Sequence, residues 1–349
     1  MDARLQKRKD QGLLRTLQST AGLIDLTSND YFGFAKDCEE IKGSGATGSR
    51  LLTGNYPLYE ALEARIARFH RAESCLIHNS GYTANLGLLS ALGTDAVTFL
   101  YDLEIHASMI DGIHLSNAKH LPFRHNDLDS LERRLKKVSL PAFVLVESIY
   151  SMSGDFAPLA EIAVLCAKYG AHLIVDEAHA TGICGLNGEG LVAELGLESQ
   201  VFARVHTFSK ALGAHGACVV GSHTLKEYLL NFSRPLIYTT ALPPTTLNSI
   251  ESKYEKLKRE AQVQQQRLKS LITYFCEKTG VENTQSPIQP ITIPDVEKLR
   301  SLSQKLKAKG LDIRAIVAPT VPRGRECLRV VLHSFNREEE IDQLVEVLS

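Results

Sequence analysis

Between residues 74 and 221 the chain shows no internal repeat but alternates between short, nearly continuous apolar runs and segments of helical period. SCLIHNS (74–80) and AVTFLYD (96–102) read as strands; 82–92 and HASMIDGIHLS (106–116) read as helices. The strand FVLVESI (143–149) is followed by the amphipathic PLAEIAVLCAKYG (158–170), which ends at glycine, and then by the strand HLIVDEAH (172–179). VFARVHTF (201–208) and GACVVG (216–221) read as two more strands. Strands apolar on both sides must be covered on both sides. The pattern therefore predicts an α/β fold whose central sheet is mostly parallel, with helices on both faces.

After YTTALPPTTLNS (238–249) the pattern changes, because the double proline stops regular structure. A long charged helix is expected over 245–280. The strand IQPITI, the helix VEKLRSLSQKLKAKG, the strands LDIRAIV and CLRVVLH and a last helix, REEEIDQLVEVLS, follow it. The expected division is an N-terminal arm (1–35), a large domain (36–243) and a smaller C-terminal α+β domain (244–349).

With 39 Lys and Arg against 40 Asp and Glu, the formal charge is −1, and no basic track points to nucleic acid. RLQKRKDQGLLR, near the N-terminus, reads as an amphipathic arm with no apolar core of a targeting peptide after it. No segment approaches the roughly 18 apolar residues needed to span a bilayer. A cytoplasmic protein is expected. The seven cysteines are scattered without a CxxC; Cys75, Cys166, Cys218 and Cys327 stand among apolar residues and read as core.

Several motifs compete for the chemistry. In GSGATG, Gly43, Gly45 and Gly48 match GxGxxG, but no apolar strand precedes them, so a loop is expected rather than a dinucleotide site. DEAH (176–179) would need a phosphate-cradling GxxxxGK[ST], and the chain has no GK pair. Asp176, His179 and His106 could gather round a metal, but HExxH is absent and no metal site is expected. Lys210 stands in the turn after VFARVHTF, and both it and Asp176 fall at C-terminal strand ends, the edge where α/β sheets bind ligands. An amine beside a buried carboxylate suits a Schiff-base cofactor. Pyridoxal phosphate needs such a lysine, a carboxylate for its ring nitrogen and a helix start for its phosphate. In HNSGYTAN (78–85) Ser80, Gly81 and Tyr82 follow a strand and open a helix, which supplies the third.

SNDYFGFA, GSRLLTGN, NSGYTANLGLL, HASMIDG, HNDLDSLE, ESIYSMSGDFAPL, VDEAHATGICGLNGEG, TFSKALGAHG, YTTALPP and APTVPRG…LRV follow one another from about residue 26 to the end. In this order they resemble the α-oxoamine synthases, fold-type-I pyridoxal 5'-phosphate enzymes that condense an amino acid with an acyl thioester and release CO2 and the thiol. The resemblance implies that Lys210 forms the Schiff base and shuttles the α-proton, and that Asp176 pairs with the pyridinium nitrogen. It implies that His106 stacks on the ring and His179 bonds its phenolic oxygen. Gly81, Tyr82 and Thr207 would hold or frame the phosphate, and Ser151 would sit beside the ring with Glu147 behind it. Asn29 and Arg329 would bind the amino-acid carboxylate and Thr320 would lie by the acyl chain. The family works as homodimers, so Thr239 or Thr240 would reach the partner's phosphate. His125 reads as a neighbour of a helix cap, and His172 and His215 as structural.

Two stretches depart from the family pattern: the region before SNDYFGFA is short, and Phe335-Asn336 stand where a histidine is common. PTVPRG (319–324) resembles the branch that joins L-alanine to a pimeloyl thioester, carried by CoA or a carrier protein, giving 8-amino-7-oxononanoate for biotin. In that branch Arg15 would meet the acyl chain's far carboxylate. Glycine C-acetyltransferase is the alternative within the family. An inactive subunit is disfavoured by Lys210 and Asp176, and an ordinary aminotransferase by the motifs around Lys210.

Overall fold

The structure, a computed structural model, describes residues 6, 9–12, 22–36, 45–282 and 284–348. Seven strands make the central sheet: β2 (Ser74–His78), β3 (Thr98–Asp102), β4 (Lys119–Phe123), β5 (Ala142–Glu147), β6 (His172–Asp176), β7 (Val201–Thr207) and β8 (Ala217–Gly221). Their order is β2-β8-β7-β6-β5-β3-β4. The sheet is mostly parallel, as the apolar runs predict; β8 is the exception and runs antiparallel to both neighbours. β2 and β5 are buried along their whole length, which is why each reads as an unbroken apolar run.

Helix 81–92 begins at a reciprocal cap: Ser80 Oγ accepts from Thr83 N–H, and the Thr83 hydroxyl accepts from Ser80 N–H. Helix 159–169 ends at Gly170, whose φ of +68° is the left-handed value a C-terminal glycine supplies. The double proline starts a helix rather than only ending one. Pro244 takes the first position of a 36-residue helix, 244–279, where a missing N–H costs nothing. Leu247, Ile250, Tyr254, Leu257, Ala261, Leu268, Ile272 and Phe275 form its buried stripe.

That stripe packs into a second core with helix 296–308 and a three-stranded antiparallel sheet. The sheet is ordered β11 (Arg314–Ile316), β12 (Cys327–Val331), β9 (Ile288–Thr292). LDIRAIV, expected as one strand, divides at the buried Ile313. Its first half, β10 (Leu311–Asp312), pairs in parallel with β1 (Ile24–Asp25) instead. Among the described residues no helix is long and apolar enough to cross a membrane.

Candidate active site

Register brings the carboxylates together. Glu147 pairs with Asp176 at the ends of β5 and β6, and Asp176 pairs with Val205 on β7. Lys210 follows in the turn between β7 and β8, so its amine meets both carboxyl groups. Burial pushes the amine down to about 8, against the pull of Asp176 and Glu147. Burial also pushes Glu147 well above the usual carboxylate range, and repulsion from Asp176 adds to this. One buried oxygen of Glu147 has no partner among the described residues.

Asp176 is buried and held by donors. Asn85 Nδ2 donates to its Oδ2 at 2.7 Å and Ala178 N–H to its Oδ1 at 2.9 Å. Asn85 also donates to Ser108 Oγ at 3.0 Å, and Ser108 Oγ lies 2.8 Å from His106 Nδ1. His106 shows an exposed face to the cleft, yet its ring nitrogens lie among protein atoms. That burial lowers its pKa, opposed by Asp176 and reinforced by Lys210. His179 is buried, and burial holds it well below the ordinary imidazole value, with the charges of Lys210 and Arg329 adding to the effect. Its Nδ1 shares a 2.6 Å hydrogen bond with the Tyr31 hydroxyl.

Tyr31 brings the N-terminal segment in. Its hydroxyl lies 3.4 Å from Asn29 Oδ1, which also accepts from Arg329 Nη2 at 3.3 Å. Arg329 Nε donates to the Ser151 carbonyl at 2.7 Å. Asn29, Ser151, His179 and Arg329 therefore form one connected group.

At the helix start, Ser80 occupies Thr83 N–H with its side chain and Ala84 N–H with its carbonyl. The N–H groups of Gly81 and Tyr82 are left for an anion. A Cβ on Gly81 would stand 3.5 Å from the Thr207 side chain, so Thr207 closes one side of that place. Thr239 Oγ1 accepts from Asn79 Nδ2 of the same chain at 3.4 Å. The Tyr82 side chain is exposed and its hydroxyl donates to Asp111. Thr320 is exposed and lines a cleft of about 650 Å³ with His106 and Ser151. Arg15 lies outside the described residues.

Sequence reasoning assigned no role to Asn85, Ser108 or Tyr31. A buried asparagine inside helix 81–92 is the one signal that was present, since asparagine there competes with the helix unless a partner holds it. His125 lies two residues before Asp127, the cap of helix 128–135, as expected, and it also bridges Asp102 at 2.9 Å and Asp155 at 2.8 Å.

These residues fit pyridoxal phosphate. An amine lowered to about 8 faces a donor-held carboxylate beside a helix start with two open N–H groups. The profile of the family described as aminotransferase class I and II matches residues 21–348. A protein of Geobacillus kaustophilus, provisionally named 8-amino-7-oxononanoate synthase, is 41% identical over 94% of this chain and 88% of its own. The structure of a serine palmitoyltransferase from S. paucimobilis with a bound PLP–myriocin aldimine superposes with a TM-score of 0.88 at 30% identity, covering 99% of this chain and 95% of that one. An 8-amino-7-oxononanoate synthase from Francisella tularensis superposes with a TM-score of 0.81 at 29% identity, covering 93% and 96%.

Proposed function

This chain belongs to the α-oxoamine synthases, pyridoxal-phosphate-dependent acyltransferases of the class I and II aminotransferase family, and on that premise we propose that it joins L-alanine to a pimeloyl thioester. The products are 8-amino-7-oxononanoate, CO2 and free thiol. The observation that carries this reading is the cleft, which runs from His106 and Ser151 between apolar walls that include Leu103, Met152 and Val321. Such walls suit a methylene chain.

When bound, pyridoxal phosphate supplies an electron sink for the amino acid's α-carbon. The Lys210 amine, with a pKa of about 8, exists partly as free base near neutral pH and can take the α-proton and return it. Asp176, fixed by Asn85, would keep the ring nitrogen charged, and His106 would cover one face of the ring. Arg329, held by the Ser151 carbonyl, offers its remaining N–H groups to the alanine carboxylate beside Asn29. His179, held through Nδ1 by the Tyr31 hydroxyl, would bond the ring's phenolic oxygen. The C–C bond forms as the thioester C–S bond breaks, and the carboxylate leaves as CO2. Thr239 serves the phosphate of a second subunit in a homodimer.

Purified protein supplied with alanine or glycine, against acetyl, pimeloyl and palmitoyl thioesters, tests the reading by product mass. Alanine with pimeloyl thioester is the expected pair. Faster turnover of glycine with acetyl thioester would replace it with glycine acetyltransfer.

A further inference from the structure

The ladder between β9 and β12 continues past the strand, because Ile293 N–H donates to the Glu326 carbonyl at 2.8 Å. The chain is therefore extended from Glu326 into β12, and alternate side chains share a face. Arg325 and Cys327 both line the cleft, and Arg329, next on that face, reaches Ser151 at its inner wall. Arg325 closes a turn on Pro322 directly before this stretch, so its Cα stands at most about 13 Å from that of Arg329.

We propose that Arg325 is the specificity-determining cation for the far carboxylate of the acyl chain. This rests on the reading that the acyl donor is a dicarboxylic monothioester. After C–C bond formation and before CO2 is lost, the joined substrates would carry a carboxylate at each end, about 10 Å apart along an extended carbon chain. Two arginines on one face match that span, with the side chains closing the difference. One meets the alanine carboxylate, and the other closes an aliphatic passage at its rim.

The guanidinium is presented for this. Glu104, also on the cleft wall, accepts from Arg325 Nη1, which fixes the side chain. Among the described residues no other contact engages the fork, so its remaining edge faces the cleft mouth, with the side chain 50% exposed. A planar fork with one edge anchored and one open suits a second carboxylate better than a lysine would. Glu104 also lies 3.8 Å from His125. A neutral or short acyl group would leave the open edge to water.

The same cation could instead meet a phosphate of the CoA carrier, and the test separates the two. Pimeloyl-CoA and its ω-methyl ester are titrated calorimetrically into holoenzyme, and KM is measured for each. Arg325→Gln is compared with Arg323→Gln, an exposed neighbour that does not line the cleft. Arg325→Gln should raise Kd and KM for pimeloyl-CoA by roughly tenfold, from the loss of a charged hydrogen bond, and leave the methyl ester and the alanine KM unchanged. Equal loss for acid and ester would assign Arg325 to the carrier and overturn the proposal. Equal loss in Arg323→Gln would reduce it to general charge, and no change in Arg325→Gln would also refute it. If the unaltered protein does not turn over pimeloyl-CoA at all, the parent reading fails instead.

Discussion

Asn85 donates one amide hydrogen to Asp176 at 2.7 Å and the other to Ser108 at 3.0 Å, so a helix residue fixes the orientation of a carboxylate on the neighbouring sheet. Asn85→Ala leaves Asp176 Oδ2 buried without that donor. The expected loss is about 1.5–3 kcal/mol, or roughly ten- to a hundredfold in affinity of apoprotein for pyridoxal phosphate. Fluorescence titration measures it, and unchanged affinity would remove Asn85 from the site.

Lys210 is lowered to about 8, and only the free amine attacks a carbonyl. The rate at which apoprotein captures pyridoxal phosphate should rise with pH and level off above about 8, followed by stopped-flow absorbance. Lys210→Ala should bind the cofactor without the covalent absorbance band and should have no turnover. A capture rate that still climbs about tenfold per pH unit through pH 9 would contradict the lowered amine.

Arg329 is tied to Ser151 through Nε, and its Nη2 reaches Asn29. Arg329→Ala should raise the alanine KM by roughly tenfold or more, while the Kd for the acyl thioester stays in place. A change in the thioester alone would reverse the assignment of ends.

Burial works against a charge on His125, but the hydrogen bonds its ring donates to Asp102 and Asp155 outweigh it and push the imidazolium up to about 10. The folded value lies above the unfolded one. The stability it contributes is therefore full below about 6.5 and is lost as pH rises through about 10. The difference in urea midpoint between the parent protein and His125→Gln should shrink steadily from pH 6 to pH 10. A pH-independent difference would show that the ring is held by packing alone.

The homodimer proposal is tested by sedimentation. A dimer at working concentrations is expected, and Thr239→Ala should weaken cofactor retention in it. An active monomer would refute both.

The sheet and the position of Lys210 were legible because strands buried on both sides read as apolar runs, and because strand ends are the natural place for a ligand. β4 was not, because KHLPF lies at the edge of the sheet with exposed residues and lacks that signature. The antiparallel direction of β8 was hidden, since GACVVG reads the same either way. Tyr31 could not be foreseen as a partner of His179, 148 positions away. Contacts set by tertiary packing leave no local period in the sequence, whereas Asn85 left a trace by being polar inside a helix.

The pairing of β1 with β10 gives the chain an order of assembly. Thr27 donates to the carbonyl of Asp312, 285 positions away, Val331 N–H donates to Leu26, and Ser334 N–H donates to Tyr31. Asn29 and Tyr31 are thus made long before the partners they find at Arg329 and Ser334. Closing so long a loop is slow, and it cannot begin until the second core exists. The seven-stranded sheet can form with Lys210 and Asp176 in place while the wall carrying Asn29 and Tyr31 is still missing. A nascent chain should therefore be unable to process substrate until residues 311–334 have been made and folded, and the pairing of these two distant segments would be the step that completes the site.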